Sequence, residues 1–165
     1  MFLGTLTTLL FIQIDTFACS CGGRSKDIEK EVIQDYNEAS MIFSGKVVEG
    51  KWIPITEKNA SGKRIKAEIW VLKFAVDSWW KGETKDEVVW RTSTVRYPEL
   101  GDGKTGSNCE FGFKLGRKYL VYATNLEDKL IADVCGGTTA FENADSDIEE
   151  LQKLREVIIK KNLSR

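Results

Sequence analysis

Four cysteines constrain this chain more than any other feature: Cys19 and Cys21 stand one residue apart, and Cys109 and Cys135 stand alone far downstream. Two nearly adjacent residues do not bridge each other readily. If the thiols oxidise, each early cysteine therefore has to reach a late one. Each bridge then closes a loop on the order of a hundred residues, worth about 4–5 kcal/mol in the chain-entropy account. Four cysteines permit three pairings, and arithmetic alone does not choose among them. A structural zinc site wants thiolates at a spacing such as C-x-x-C, which Cys19-Ser20-Cys21 with two distant singletons does not offer.

Whether the thiols oxidise depends on the compartment, and the first residues address that. In the segment 1–18, MFLGTLTTLLFIQIDTFA, an apolar run precedes Thr16-Phe17-Ala18, with small residues at both positions a signal peptidase inspects. The run is short for a membrane span. The segment 1–18 is therefore expected to be a secretory signal peptide, leaving a mature domain over 19–165 that begins at Cys19. Export favours two disulfides over free thiols. A mature terminus at cysteine also raises lipidation, but Thr16 and Phe17 replace the Leu and small residue that a lipobox usually carries. The expected location is secreted or extracellular, or the periplasm or envelope if the source is bacterial, with membrane attachment only if Cys19 is lipidated.

Composition removes several functions. The chain has no histidine, so no Ser-His-Asp or Cys-His arrangement is possible, and the commonest metal ligand is missing. With 24 Lys+Arg against 25 Asp+Glu the net charge is −1, and no basic stripe marks a nucleic-acid face. No constellation points to an enzyme or to a resident cofactor. The length suits one domain with a modest core, expected to be a monomer.

Along the mature chain, Ile28, Val32, Ile33 and Tyr36 recur at helical spacing, predicting a helix over 25–38. A β-rich run follows at 41–48, where Gly45 suggests a bulge or bend. The polar stretch 52–66, with Pro54, Asn59 and Gly62, reads as a long hairpin connection. In 69–79 alternation places Trp70, Leu72, Phe74 and Val76 on one face. A further strand is predicted at 87–92, and 97–106 reads as an exposed loop. The segments 118–123 (KYLVYA) and 129–134 (KLIADV) form a hairpin across 124–128. Ser146 and Glu149 read as a capping box opening a helix that carries Ile148, Leu151, Leu154 and Ile158. Five antiparallel strands with a helix on either side predict a mainly β fold, a small closed barrel whose closure removes exposed edges.

Several phrases, taken in order, resemble a known module. They are a leader ending before Cys-x-Cys, a helix, Ile42-Phe-Ser-Gly-Lys-Val-Val48, Trp80-Lys-Gly82, a cysteine in a mid-chain loop, Gly116-Arg-Lys-Tyr-Leu-Val-Tyr-Ala123 and a cysteine closing the last strand. The set is similar to the netrin-like module, and within it to the N-terminal domain of the tissue inhibitors of metalloproteinases. The resemblance implies a five-stranded OB-like barrel with N-terminal and C-terminal flanking helices. It also implies the pairing Cys19–Cys109 and Cys21–Cys135. Its mechanism would be chelation of a partner protease's zinc by the α-amine and carbonyl of Cys19. Such an amine must be neutral, which costs little near neutral pH given a reference pKa of ~7.7–8.0. Ser20 would enter the protease's specificity pocket, Cys21 and Gly22 would lie along the cleft, and Ser107 and Asn108 would form a second contact ridge. The partner implied is a zinc metalloendopeptidase, with no nucleic acid. Gly22-Gly23-Arg24 departs from the bulkier, proline-containing stretch of the animal inhibitors, and four cysteines leave no third bridge.

Other readings of the same residues stand beside this one. The chain as a non-inhibitory extracellular recognition module would keep the Cys-Ser-Cys staple for structure alone, and a lipid-anchored envelope protein attached through Cys19 is a third reading. The five tryptophans are expected mostly in the core, with Trp52 and one of the adjacent Trp79 and Trp80 at the surface. Lys63-Arg64-Ile65-Lys66 is expected to be a solvated hairpin. Asn59-Ala-Ser61 and Asn162-Leu-Ser164 match glycosylation sequons, which have meaning only in a eukaryotic secretory pathway.

Overall fold

The computed structural model describes Cys19, Cys21 and residues 27–101, 103–107, 109–126 and 129–163. The expected signal peptide, 1–18, lies outside the described residues. Among the described residues seven strands carry the fold: β1 (Met41–Lys58), β2 (Arg64–Lys81), β3 (Glu87–Arg96), β4 (Lys104–Thr105), β5 (Lys118–Leu126), β6 (Lys129–Ile131) and β7 (Thr139–Ala140). They form one antiparallel sheet in the order β4-β3-β2-β1-β5-β6, with β7 pairing β5 off this path. The sheet curls into a half-barrel flanked by α1 (Ile28–Glu38) and α2 (Asp145–Leu163). The mainly β expectation with two flanking helices holds, while the strand count exceeds the expected five. The two additions, β4 and β7, are two residues each, too short to leave an alternation signal.

β1 and β5 explain why the middle of the chain is continuously apolar. One of their faces carries Phe43, Val47, Tyr119, Val121 and Ala123 into a cluster with Leu72, Phe74, Val88 and Trp90. Their other face carries Ile42, Leu120 and Tyr122 against Val32 of α1 and Leu151 of α2. A strand covered on both sides has no polar face, hence KYLVYA. The same double cover corrects the expected exposure of Trp79 or Trp80. Trp79 packs against the first cluster and Trp80 against the second, and neither is exposed. Phe111 and Phe113 add to the first cluster, the Phe113 ring centroid lying 5.1 Å from Phe74 and 5.4 Å from Trp90.

Several expected boundaries move. The segment 52–66 is not a loop: β1 and β2 stay paired from Trp52↔Trp70 to Lys58↔Arg64 around a tight turn. In that turn the Asn59 side chain accepts from the backbone N–H groups of Ser61 and Lys63. Pro54 is tolerated because the described β1–β5 ladder ends at Lys46↔Lys118 and leaves that part of β1 paired on one side only. In the expected loop 97–106, a 3-10 turn at Pro98–Leu100 precedes β4, which pairs the end of β3. α1 begins at Ile28, capped by the Asp27 side chain accepting from the Lys30 N–H, and Ile33 lies off its buried stripe at 40% exposure. α2 begins at Asp145, one residue before Ser146, so Ser146 lies inside the helix and not at its cap.

Gly45 sits where the sequence suggested a bulge. The register steps from Ser44↔Ser78 to Gly45↔Val76, leaving Asp77 without a pair in that ladder. A Cβ at position 45 would stand 2.7 Å from the Ala75 carbonyl oxygen, a backbone atom held in the sheet. Gly45→Ala is therefore expected to destabilise the fold by roughly 1–3 kcal/mol through overpacking. Urea unfolding checks this as a lowered midpoint with an unchanged m-value; a midpoint equal to that of the parent would show that the ladder yields there.

Candidate functional site

The two distant cysteines are brought together by backbone pairing beside the core. Glu110 and Asp133 form an antiparallel bridge, flanked by hydrogen bonds from Phe111 N–H to Ala132 O at 2.8 Å and from Val134 N–H to Cys109 O at 2.9 Å. Cys109 and Cys135 thus lie on adjacent segments, ready to receive two cysteines from one short stretch. The disulfides are Cys19–Cys109, with Cα atoms 5.5 Å apart, and Cys21–Cys135, at 5.1 Å. This is the pairing the netrin-like resemblance implied, and among the described residues no cysteine is free.

Each receiving cysteine is also fixed locally in the same way. The Cys109 N–H donates to Ser107 Oγ at 3.2 Å, and the Cys135 N–H donates to Asp133 Oδ1 at 2.7 Å. Both acceptors sit two residues earlier, the side-chain turn that Ser and Asp favour. Cys19 is half-buried, whereas Cys21, Cys109 and Cys135 are exposed, so the staple lies on the surface.

Joined to it is a network that no sequence motif announced. Glu110 Oε2 accepts from the Ser93 N–H at 2.6 Å and from the Ser93 hydroxyl at 2.5 Å, and Glu110 Oε1 accepts from Trp90 Nε1 at 3.3 Å. The Ser93 hydroxyl in turn accepts from the Ser107 N–H at 2.9 Å. Through these bonds β3 holds Ser107 and Glu110. The only linear signal was an acidic residue directly after Cys109, because its partners lie 17 and 20 residues away in sequence.

Of the residues expected to contact a partner, Cys19, Cys21 and Ser107 are therefore gathered on one platform. Ser20, Gly22 and Asn108 lie outside the described residues. The titratable groups with shifted values belong to other parts of the surface. The Tyr97 hydroxyl is raised by its hydrogen bond to Glu57, Glu83 is lowered by Lys85, and Lys73 is raised by Glu87. Among the described residues no group of three or more His, Cys, Asp or Glu is placed to hold a metal ion, and no helix is long and apolar enough to cross a membrane.

The second aromatic concentration lies along the β1–β2 arm. Trp52 is half-buried, its ring centroid 5.0 Å from that of Trp70, with the Arg96 guanidinium 4.4 Å from the Trp52 ring centroid. Arg96 is already paired with Glu68 at 2.5 Å. No protein-family model matches the chain, and no curated protein matches it.

Proposed function

We propose that the mature protein is a secreted inhibitor of zinc metalloendopeptidases, built on a netrin-like, OB-like barrel. The observation that carries this reading is the anchoring of Cys19 and Cys21, one residue apart, to adjacent backbone segments. The side chains of Cys19 and Cys21 are used up in the bridges. What remains for a partner at position 19 is backbone: the carbonyl oxygen and, once the leader is cleaved after Ala18, the α-amine.

An amine and a carbonyl on one residue form a five-membered chelate with a metal that has an open coordination position, which is the catalytic arrangement of zinc proteases. Occupying that position removes the water the protease must activate. A free peptide of the same sequence would lose more conformational freedom on binding than one ordered in advance by two bridges. Ser20 would project into the specificity pocket of the protease, with Cys21 and Gly22 along the cleft and Ser107 and Asn108 beside them. Disulfides are compatible with an extracellular setting.

The test is inhibition of a panel of zinc endopeptidases by protein whose authentic Cys19 terminus has been verified by mass spectrometry. At least one member should be inhibited at one-to-one stoichiometry. Folded, correctly terminated protein that inhibits none overturns the proposal, and so does a native Cys19 found acylated, since an acylated nitrogen has no lone pair for zinc.

A further inference from the structure

We infer that Glu110 is a positioning residue of this platform, setting how Ser107 and Cys109 stand beside Cys19. The consequence for binding rests on the inhibitory reading above; the cause rests on hydrogen-bond polarity alone. A carboxylate only accepts hydrogen bonds, and a hydroxyl has one proton to give. Because Glu110 Oε2 takes the Ser93 hydroxyl proton, the lone pairs of that oxygen remain for the Ser107 N–H. Ser107 Oγ then receives the Cys109 N–H, and Cys109 is bonded to Cys19. Glu110 thus fixes the Ser107 backbone through Ser93, and Ser107 in turn holds Cys109, the residue bridged to Cys19. Glu110 itself is tied to the core, since it also accepts from Trp90, which is fully buried. Hydrogen bonds to an ionised acceptor are the stronger kind, and prepositioned residues lose less freedom when a partner docks.

Glu110→Gln tests the polarity with little change of shape. Its amide nitrogen is a donor, and it faces either a second donor, the Ser93 or Trp90 N–H, or the Ser93 oxygen that Ser107 needs. Ser93→Ala removes the hydroxyl while leaving the Ser93 N–H and Trp90 bonds to Glu110. Ser93→Thr keeps the hydroxyl on a residue suited to a strand.

The experiment measures the inhibition constant on a susceptible zinc endopeptidase and amide hydrogen exchange at Ser107 and Cys109, for each variant with the authentic terminus and both disulfides. Glu110→Gln and Ser93→Ala should each weaken inhibition about tenfold, or about 1.4 kcal/mol, and speed exchange at both amides, while Ser93→Thr stays within about twofold of the parent. Unchanged exchange in both weakening variants overturns the inference. So does faster exchange with unchanged inhibition, and so does failure of Ser93→Thr to rescue. If Glu110→Gln does not fold, Ser93→Ala and Ser93→Thr decide by the same criteria. If the parent inhibits no protease, the inhibitory reading falls, and exchange alone decides whether Glu110 positions Ser107 and Cys109.

Discussion

Protein carrying one extra alanine before Cys19 is expected to keep its fold and both disulfides and to inhibit its target about 1,000-fold less well, a loss of about 4 kcal/mol. An N-terminal amine holds a lone pair that a metal can accept once the proton leaves. Near pH 7 that deprotonation costs only ~1 kcal/mol at an ordinary α-amine pKa. An added residue turns the amine into an amide nitrogen whose lone pair is delocalised into the carbonyl, so the donor vanishes while the side chain of Cys19 stays bridged to Cys109. The extra residue also occupies the space the metal would need. Acetylation of the Cys19 amine should do the same without lengthening the peptide. The comparison is made between authentic, extended and acetylated proteins with coincident melting curves. An extended protein within tenfold of the authentic one would mean that binding does not depend on the terminal amine, and zinc chelation would have to be abandoned.

What was legible in the sequence separates by range of interaction. Alternation in 69–79 correctly placed Leu72, Phe74 and Val76 on the core side, because a strand's facing is set by a two-residue period that any local window contains. Gly45 announced its register shift for a similar reason, since a missing Cβ is a local property. By contrast 52–66 looked like a loop because proline, glycine, asparagine and charge are what loops contain. The ladder that makes it a strand comes from pairing with 64–70, and composition does not report pairing. Trp79 and Trp80 illustrate the same limit. Alternation sent them to opposite sides, but the helices covering one of those sides are brought there by tertiary packing.

The candidate site divides likewise. Cysteines at 19, 21, 109 and 135 are visible in any reading of the chain, and their pairing was implied by resemblance; spacing alone left it open. The Glu110, Ser93 and Ser107 network was invisible because it joins a strand to Ser107 and Glu110 through side chains whose types are ordinary at the surface. Sequence patterns report periodicity and rare residues well. A hydrogen-bond network assembled across 14 to 20 positions leaves no period to detect.

Removing the two disulfides one after the other should cost unequal amounts, with the second deletion the more expensive. The bridges span 90 and 114 residues, and closing either loop in an otherwise open chain restricts the unfolded state by roughly 4.6–4.8 kcal/mol in the chain-entropy account. They interlace, however: once one is closed, the other has to close only the short gaps between Cys19 and Cys21 and between Cys109 and Cys135. That is a loop of roughly 28 residues, worth about 3.6 kcal/mol. Replacing Cys19 and Cys109 with serine, or Cys21 and Cys135 with serine, should therefore cost about 3.6 kcal/mol, and replacing all four about 8 kcal/mol. A domain of this size has roughly 5–15 kcal/mol to lose. Either single-bridge protein should then stay folded, and the protein without bridges should stand at the edge of unfolding. Guanidinium unfolding of the four proteins measures these steps. A first deletion that costs as much as the second would show that the bridges act independently and not as an interlaced pair. The single-bridge proteins also separate pinning from folding: a folded protein lacking only Cys19–Cys109 that no longer inhibits loses activity because its terminus is loose, not because its barrel has failed.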